Sequence, residues 1–241
     1  MSDFLLPAAA ATDDGAITDK DQARSEKIHE QVYQRLRWAI ISGQLDPGKS
    51  ISVRGLAAEF GVSTMPAREA IRRLVTLNAL ELTPTRRVTV AKMTFEKYRE
   101  LVSARLALEP ELAVKAMRMA REEPGAIEQL VSRLREIDSV VDDAIRDRDS
   151  AAYARGNCEF HYSLYLAAKS PVYLRLVESL WLQLGPFMRS IVLRIGGAIV
   201  VDEHKAAIEA IEAGDEARLE HAIRQDITDA LEYVLPTDFK P

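Results

Sequence analysis

Residues 41–90 read ISGQLDPGKSISVRGLAAEFGVSTMPAREAIRRLVTLNALELTPTRRVTV, and this stretch decides the fold. Ser52 can cap a helix over residues 53–60, because a serine side chain accepts a hydrogen bond from a free N–H of the first helical turn. Ser63 or Thr64 can cap a second helix in the same way. The short segment between the two helices predicts the tight turn of a helix-turn-helix.

A basic hairpin is predicted after the second helix. Residues 80–83 and 88–91 alternate apolar and polar side chains, and the turn between them carries Arg86 and Arg87. Apolar residues at helical spacing predict a further helix over residues 27–42, ahead of the pair. The order helix, short strand, helix, turn, helix and hairpin is typical of a winged helix-turn-helix, a DNA-binding fold.

The rest of the chain is predicted to be helical. Proline, glycine or aspartate marks the breaks between six segments, at 94–121, 124–147, 150–169, 171–195, 201–213 and 215–234. Helices of this length with short connections pack as an antiparallel bundle. We therefore expect a mainly α protein, with a disordered arm at 1–23, a winged helix-turn-helix at 24–92 and an all-α antiparallel bundle of about six helices at 93–236.

Charge is divided unevenly along the chain. Residues 24–92 hold 12 lysines and arginines against 6 acidic residues, a formal net charge of +6, whereas the whole chain carries −5. A basic block in an acidic chain favours contact with a polyanion such as DNA, although chance clustering of solvated charges gives the same pattern.

Composition indicates the compartment. A single cysteine, Cys158, excludes an internal disulfide, and no apolar run is long enough for a membrane helix. The first residues carry no basic group ahead of their apolar stretch, so they do not fit a secretory signal. These features predict a soluble cytoplasmic protein without a membrane partner.

The quoted stretch resembles the amino-terminal domain of the GntR family of bacterial transcription regulators. The resemblance rests on the glycine, leucine and Pro-Gly of the first turn, on the LA, FGVS, REA and RL motifs in that order, and on the basic hairpin. It implies that Arg68 of the REA motif and Arg54, before the LA motif, contact a double-stranded DNA operator. Thr64 departs from the arginine that is common at its position, and Arg87 replaces the usual wing glycine.

The recognition helix and the wing supply further DNA-contact candidates. The first turns of a recognition helix face base edges and phosphates, and two arginines at a hairpin tip suit minor-groove or phosphate contact. The first turns here carry Thr64, Met65, Arg68, Arg72 and Arg73. We predict DNA contacts from Arg54, Thr64, Arg68, Arg72, Arg73, Arg86 and Arg87. Two alternatives stay open: the wing arginines only keep the turn soluble, and Arg72 or Arg73 faces solvent or pairs with Glu69.

The bundle resembles the FCD ligand-sensing domain of the FadR branch of the same family. The resemblance rests on RLALE in the first bundle helix, NCEFH in the third, EH before the fifth and GD between the last two. Arg105 of RLALE lies in the middle of an apolar stripe, where a cation needs a partner. That partner is either Glu109, one turn later, or an anion in the bundle cavity. The resemblance favours the anion, because the corresponding arginine of FCD domains holds the carboxylate of an effector.

Three polar side chains interrupt apolar stripes on other helices: His161, His204 and Asp226. Each alone is typical of a hydrogen-bonded core residue, but together they can converge on a divalent metal. Metal-binding FCD domains, which this chain resembles, use an Asp, a His four residues later and two further histidines. Asn157 stands at the position of that Asp and Asp226 at the position of the last His.

We therefore predict a site for zinc, nickel or manganese formed by Asn157, His161, His204 and Asp226, with Asn157 also contacting the effector. The alternative is a polar cavity without metal.

Together these features predict a transcription regulator, usually a repressor in this family, and not an enzyme. It is expected to bind DNA as a homodimer and to sense a small carboxylate effector. Two other functions stay open. One is a metal-dependent hydrolase or lyase that uses the same His and Asp cluster, which leaves the basic domain unexplained. The other is a DNA-binding protein whose bundle only dimerises.

Overall fold

A computed structural model describes residues 19–85, 87–195 and 203–232 of the chain. Helix α1, Asp19–Ile41, begins earlier than the apolar pattern predicted and inside the expected arm. Its first residues are polar but favour helix, so they extend α1 without adding to the apolar pattern that predicted it. The remainder of the arm and the wing residue Arg86 lie outside the described residues.

The chain divides into two compact units. One contains the residues up to Ala39 together with Gly48–Ala91, and the other contains Ile40–Pro47 together with the residues from Lys92 onward. We refer to them as the DNA-binding unit and the bundle unit. The domain limits expected from the sequence, 24–92 and 93–236, stay predictions.

The DNA-binding unit is a winged helix-turn-helix, as the sequence predicted. After α1 it contains β1 Ser50–Ile51, α2 Val53–Phe60, α3 Thr64–Thr76, β2 Leu80–Leu82 and β3 Val88–Val90. The strands form an antiparallel sheet in the order β1-β3-β2, with Ser50 opposite Thr89 and Leu80 opposite Val90. The core is formed by buried apolar residues of the helices and strands, including Val32, Leu36, Leu56, Phe60, Ala67, Ile71, Leu74 and Val90.

Local signals fix the two central helices. The Ser52 hydroxyl accepts a hydrogen bond from the Gly55 N–H at 2.9 Å, and Gly61 ends α2 in the left-handed region at φ +65°. Ser63 occupies the cap position of α3, but its side chain makes no capping hydrogen bond. Pro66 lies in the first turn of α3, where its missing N–H costs nothing. The backbone and Pro66 therefore define the start of α3 more than the predicted cap does.

The bundle unit is built from helices throughout its described part. They are α4 Phe95–Arg121, α5 Ala126–Asp147, α6 Ser150–Leu166, α7 Pro171–Ile195, α8 His204–Ala213 and α9 Glu216–Glu232. Helix α5 packs along α6, α4 along α9, and α8 against α9. The predicted bundle of about six helices is confirmed in this part of the chain. None of the described helices is both long and apolar enough to cross a membrane.

All six bundle helices contribute to one apolar core, through residues such as Leu112, Leu134, Phe160, Leu184, Ile208 and Ile223. Polar side chains are buried in the same unit, among them Arg105, Glu109, Asp138, His161 and His204. Because an isolated polar group in an apolar core is costly, each of these needs a partner there. Their partners define the candidate site.

Candidate functional site

Three helices bring His161, His204 and Asp226 together in the centre of the bundle. His161 lies on α6, His204 is the first residue of α8, and Asp226 lies on α9. One ligand atom from each side chain falls in a group whose members are all within 4.8 Å of one another. The His161 Nε2 atom is 3.0 Å from the Asp226 Oδ2 atom, and both histidine side chains are 1% exposed. The structure thus places three of the four predicted metal ligands in one cluster.

The contact of the second ring nitrogen of His161 determines which tautomer the imidazole adopts. His161 Nδ1 is 3.1 Å from the Tyr165 hydroxyl, which donates its only proton to Glu109 Oε2 at 2.8 Å. The hydroxyl must therefore accept from His161, so the Nδ1 atom of the ring carries a proton. In the neutral ring the Nε2 atom then has a lone pair directed at the Asp226 cluster.

A lone pair and a carboxylate oxygen 3.0 Å apart repel each other unless a cation lies between them. That cation is either a second ring proton or a metal ion. The contact lacks the geometry of a hydrogen bond, so His161 Nε2 is a buried polar atom without a hydrogen-bond partner among the described residues. This donor set fits a divalent ion, whose nitrogen and oxygen ligands are usually about 3–4 Å apart.

His204 is held by contacts on two sides. Its ring stacks on Phe160 with centroids 3.8 Å apart, and its Nδ1 atom is 3.3 Å from Asp138 Oδ1. Lys205 Nζ lies 3.3 Å from the other oxygen of Asp138 and 2.7 Å from Asp142 Oδ1. This approach lacks the geometry of a hydrogen bond, so Asp138 acts on His204 through its charge. A carboxylate beside the far nitrogen of a histidine is the usual orienting partner in metal sites. Sequence reasoning missed Asp138, although it interrupts the apolar face of α5.

Neighbouring cationic side chains keep the carboxylates of Asp226 and Asp138 ionised. Burial raises the pKa of Asp226, but the positive charges that His161 and His204 carry when protonated, together with the charge of Arg105, outweigh burial and hold that pKa below its ordinary value. Burial likewise raises the pKa of Asp138, and its contacts with His204 and Lys205 lower it by more. Both groups are therefore ionised at neutral pH and available to cations.

Arg105 is paired with Glu109, one of the two partners that the sequence left open. Its Nε and Nη2 atoms donate to the two oxygens of Glu109 at 2.6 and 3.1 Å. Glu109 also accepts from Trp181 Nε1 at 2.8 Å and from Tyr165. Burial opposes the charge of Arg105, but Glu109 raises the pKa of the guanidinium above its ordinary value. Two of the five guanidinium N–H donors serve this pair, which leaves three for another acceptor.

A small, partly open pocket borders this ion pair. Its wall is mostly apolar, with Arg105 and Asn157 as polar groups among Ile41, Tyr153, Ala154, Cys158, Trp181, Leu184 and Gly185. Asn157 thus lies in the pocket wall beside Arg105, and its role as a fourth metal ligand stays a prediction. Burial raises the pKa of the Cys158 thiol to about 12, so this cysteine is not a nucleophile.

The predicted DNA-contact residues differ in how far they are free to bind. Arg54, Thr64, Arg68 and Arg87 are exposed. Arg72 donates twice to Glu69, at 2.7 and 2.9 Å, as one of the alternatives expected. Arg73 donates to Glu30 of α1 at 2.8 Å and lies 3.5 Å above the Tyr33 ring. Arg73 therefore ties α3 to α1, a role that local spacing did not indicate.

The wing is closed by a hairpin turn. The backbone N–H of Thr83 donates to the Arg87 carbonyl at 2.8 Å, and the Arg87 N–H donates to the Thr83 hydroxyl at 3.0 Å. These bonds hold the backbone of Arg87 against Thr83, and the side chain of Arg87 is exposed. Its neighbour Arg86 is outside the described ranges.

Both units match known protein families. Residues 28–90 match the family described as bacterial regulatory proteins, gntR family. Residues 100–229, which are more than half of the chain, match the FCD domain. The chain belongs to the gntR family and carries an FCD domain. It is therefore a transcription regulator and not an enzyme, as the sequence predicted, and the hydrolase or lyase alternative is set aside.

Individual relatives of this gntR-family chain are regulators too. The HTH-type transcriptional regulator McbR of Escherichia coli (strain K12) is 26% identical over 198 residues, covering 81% of this chain and 87% of that protein. The gluconate operon transcriptional repressor of Bacillus subtilis (strain 168) is 27% identical over 214 residues, covering 85% and 84%. The solved structure of E. coli McbR/YncC has the same fold, with a TM-score of 0.76, 24% identity and coverage of 85% and 95%.

Proposed function

We propose that this gntR-family regulator is a cytoplasmic homodimer that represses transcription from a two-fold operator and responds to a small carboxylate effector and a divalent metal in the bundle. The observation that carries the proposal is the buried cluster of His161, His204 and Asp226. The His161 ring is 5.4 Å from the ring of Trp181, which lines the pocket together with Arg105. A neutral His161 directs a lone pair at the Asp226 carboxylate, and a metal ion bound between the two would stabilise that arrangement.

His161, His204 and Asp226 would hold the metal, with Asn157 as a weak fourth ligand through its amide oxygen. Two imidazoles and one carboxylate suit zinc, nickel or manganese. Tyr165 and Asp138 would orient the two imidazoles through their far nitrogens. A divalent ion there would supply open coordination positions, and with one ligand carboxylate the cluster would carry a net charge of about +1, which attracts a monocarboxylate.

Arg105 would bind the effector without releasing Glu109. The Glu109 pair uses the Nε side of the guanidinium, and the remaining N–H donors are free for a second carboxylate. The Trp181 ring, 4.9 Å from the guanidinium carbon, supports the same cation from one face. Asn157 in the pocket wall would add one more polar contact to the effector.

Helix α1 supplies a covalent route from the pocket to the DNA-binding unit. It belongs to that unit through Ala39, whereas its last residues belong to the bundle unit. Its final residue, Ile41, lines the pocket, and the Ile41 carbonyl accepts from Cys158 Sγ at 3.4 Å. A Cβ added at Gly185 would lie 2.2 Å from the same carbonyl, so only glycine permits this approach. An effector in the pocket would therefore press on the end of a helix whose earlier part is in the DNA-binding core.

The test is a titration of operator binding. A duplex selected from a random-sequence pool by the full-length protein is mixed with the protein and a panel of small carboxylates, with divalent metal present and after chelation. We expect at least one acid to release the DNA, at lower concentration when metal is present. Light scattering on the protein without DNA should give the mass of a dimer.

Arg105→Ala leaves Glu109 buried without its cation, so circular dichroism first shows that the variant is folded at the assay temperature. The folded variant should keep operator affinity and lose the response to the acid. Arg118→Ala, on the exposed side of the same helix, is the matched control and should respond as the wild type does. If no acid changes operator affinity with or without metal, the bundle serves only to dimerise the protein.

A further inference from the structure

Met65 is exposed in a way that the fold does not explain. It is the second residue of α3 and its side chain is 67% exposed, more than any other large apolar side chain in the described part of the chain. Exposing a large apolar side chain to water gives the folded protein no stability. The side chain of Met65 is therefore available for a contact outside the chain.

The position of Met65 around the helix axis is that of the reading face. The opposite side of α3 is buried, through Pro66, Ala67, Ala70, Ile71 and Leu74. With 3.6 residues per turn, Met65 and Arg72 lie within about 20° of each other around the axis, and Arg68 is one turn from Met65. Met65 and these arginines thus share the face that a winged helix turns toward the major groove.

The available groups on this face are few. Arg72 is already bound to Glu69 through two hydrogen bonds. Arg68 is exposed, and the described part of the chain offers it no hydrogen bond or ion pair. Met65 therefore lies one helical turn from the guanidinium of Arg68. Both residues are near the N-terminal end of α3, which is the end that enters the major groove first.

The chemistry of the major groove matches this pair. The 5-methyl group of thymine is the apolar group that base edges present there, and guanine or a phosphate offers acceptors to arginine. We propose that Met65 is a specificity residue, whose side chain packs on the 5-methyl group of one thymine in each operator half-site beside the group that Arg68 contacts. The basic surroundings favour DNA over a second copy of the chain as the partner of this apolar group. The proposal extends the DNA-binding function and does not depend on metal or effector.

Replacing thymine by deoxyuridine tests the proposal directly, since it keeps the base pairing and removes the methyl group. The full-length protein selects a duplex from a random pool, and each thymine of that duplex is replaced in turn. For the wild type we expect one position in each half-site at which deoxyuridine weakens binding about fourfold, the effect of losing one buried methyl group.

Variants at position 65 separate Met65 from its neighbours. Met65→Ala and Met65→Gln should bind the thymine duplex more weakly and lose the discrimination at that position only, whereas Met65→Leu should keep it. Val140→Ala, which shortens an exposed apolar side chain in the bundle unit, is the matched control and should behave as the wild type at every position. Circular dichroism shows that each variant is folded.

If deoxyuridine weakens Met65→Ala as much as the wild type at every position, Met65 does not contact a thymine methyl group and the proposal is wrong. If the pool yields no preferred sequence, both the proposal and sequence-specific operator binding fail. The two failures are therefore distinguishable.

Discussion

The two units of this protein use charge in opposite ways. In the DNA-binding unit Arg54, Arg68 and Arg87 are exposed. In the bundle unit Arg105 and Glu109 are buried and bound to each other and to their neighbours. A charge whose partner lies outside the chain stays on the surface, whereas a charge whose partner lies inside is held in a network. Removing a charge should therefore cost binding in the first unit and stability in the second.

The largest expected effect is on the stability of the bundle. Glu109→Ala leaves Arg105 buried without its carboxylate and removes an acceptor from Tyr165 and Trp181. We expect the free energy of unfolding to fall by about 3–5 kcal/mol, as for other broken buried ion pairs. Urea denaturation followed by circular dichroism measures it. Glu216→Ala, which breaks an exposed pair with Arg118, is the control and should leave the midpoint nearly unchanged. An equal loss in both variants would contradict the comparison.

The second effect is on DNA recognition. Arg68→Ala removes an exposed guanidinium that has no role in the core, so the fold should be intact while specific binding weakens by roughly 1–3 kcal/mol. A mobility shift on the selected operator measures the affinity. Arg73→Ala is the informative partner variant, because Arg73 is bound to Glu30 and should affect stability more than specificity. Unchanged affinity in Arg68→Ala would remove this residue from the recognition set.

The third effect is on metal affinity, which should distinguish Asp138 from Asp142 on the same helix. Asp138→Asn should lower the affinity for divalent metal about 10–100-fold, because the neutral amide removes the negative charge beside His204 Nδ1. Asp142→Asn, four residues later on α5, contacts Lys205 and should bind metal as the wild type does. Titration calorimetry with zinc on the metal-free protein gives both affinities. Equal affinities in the two variants would mean that Asp138 does not position His204.

The smallest expected effect is in the wing. Changing both Arg86 and Arg87 to Ala should weaken binding evenly across sequences, because phosphate contacts carry little sequence information. The slope of log affinity against log salt concentration should fall by roughly 2, about one for each arginine. If the slope does not change, the wing does not touch DNA, and its arginines only keep the turn soluble.

The fold followed from local signals. The bounds of α2 and α7 agree with the sequence prediction because glycine and proline mark their ends, and such signals act within a few residues. Residues 19–26 were the largest departure, since this polar stretch lacks the apolar period on which the prediction depended. Local sequence signals therefore predicted which helices and strands form better than they predicted where α1 begins.

The candidate site was predictable only in part. His161, His204 and Asp226 could be found because each interrupts an apolar stripe, and the structure brings them together. The partners of that cluster come from packing between distant segments, as do the bonds of Tyr165 and Trp181 to Glu109 and of Arg73 to Glu30. Spacing along one helix carries no information on such pairs.

The metal content of the purified protein tests the central claim most directly. Wild-type protein prepared without chelator or nickel affinity column is analysed for bound elements beside His161→Ala, with His221→Ala, an exposed histidine of α9, as the control. We predict close to one divalent ion per chain in the wild type and in His221→Ala, and loss of that ion in His161→Ala. The same substoichiometric content in all three would contradict the account and leave the cluster as a polar pocket without metal.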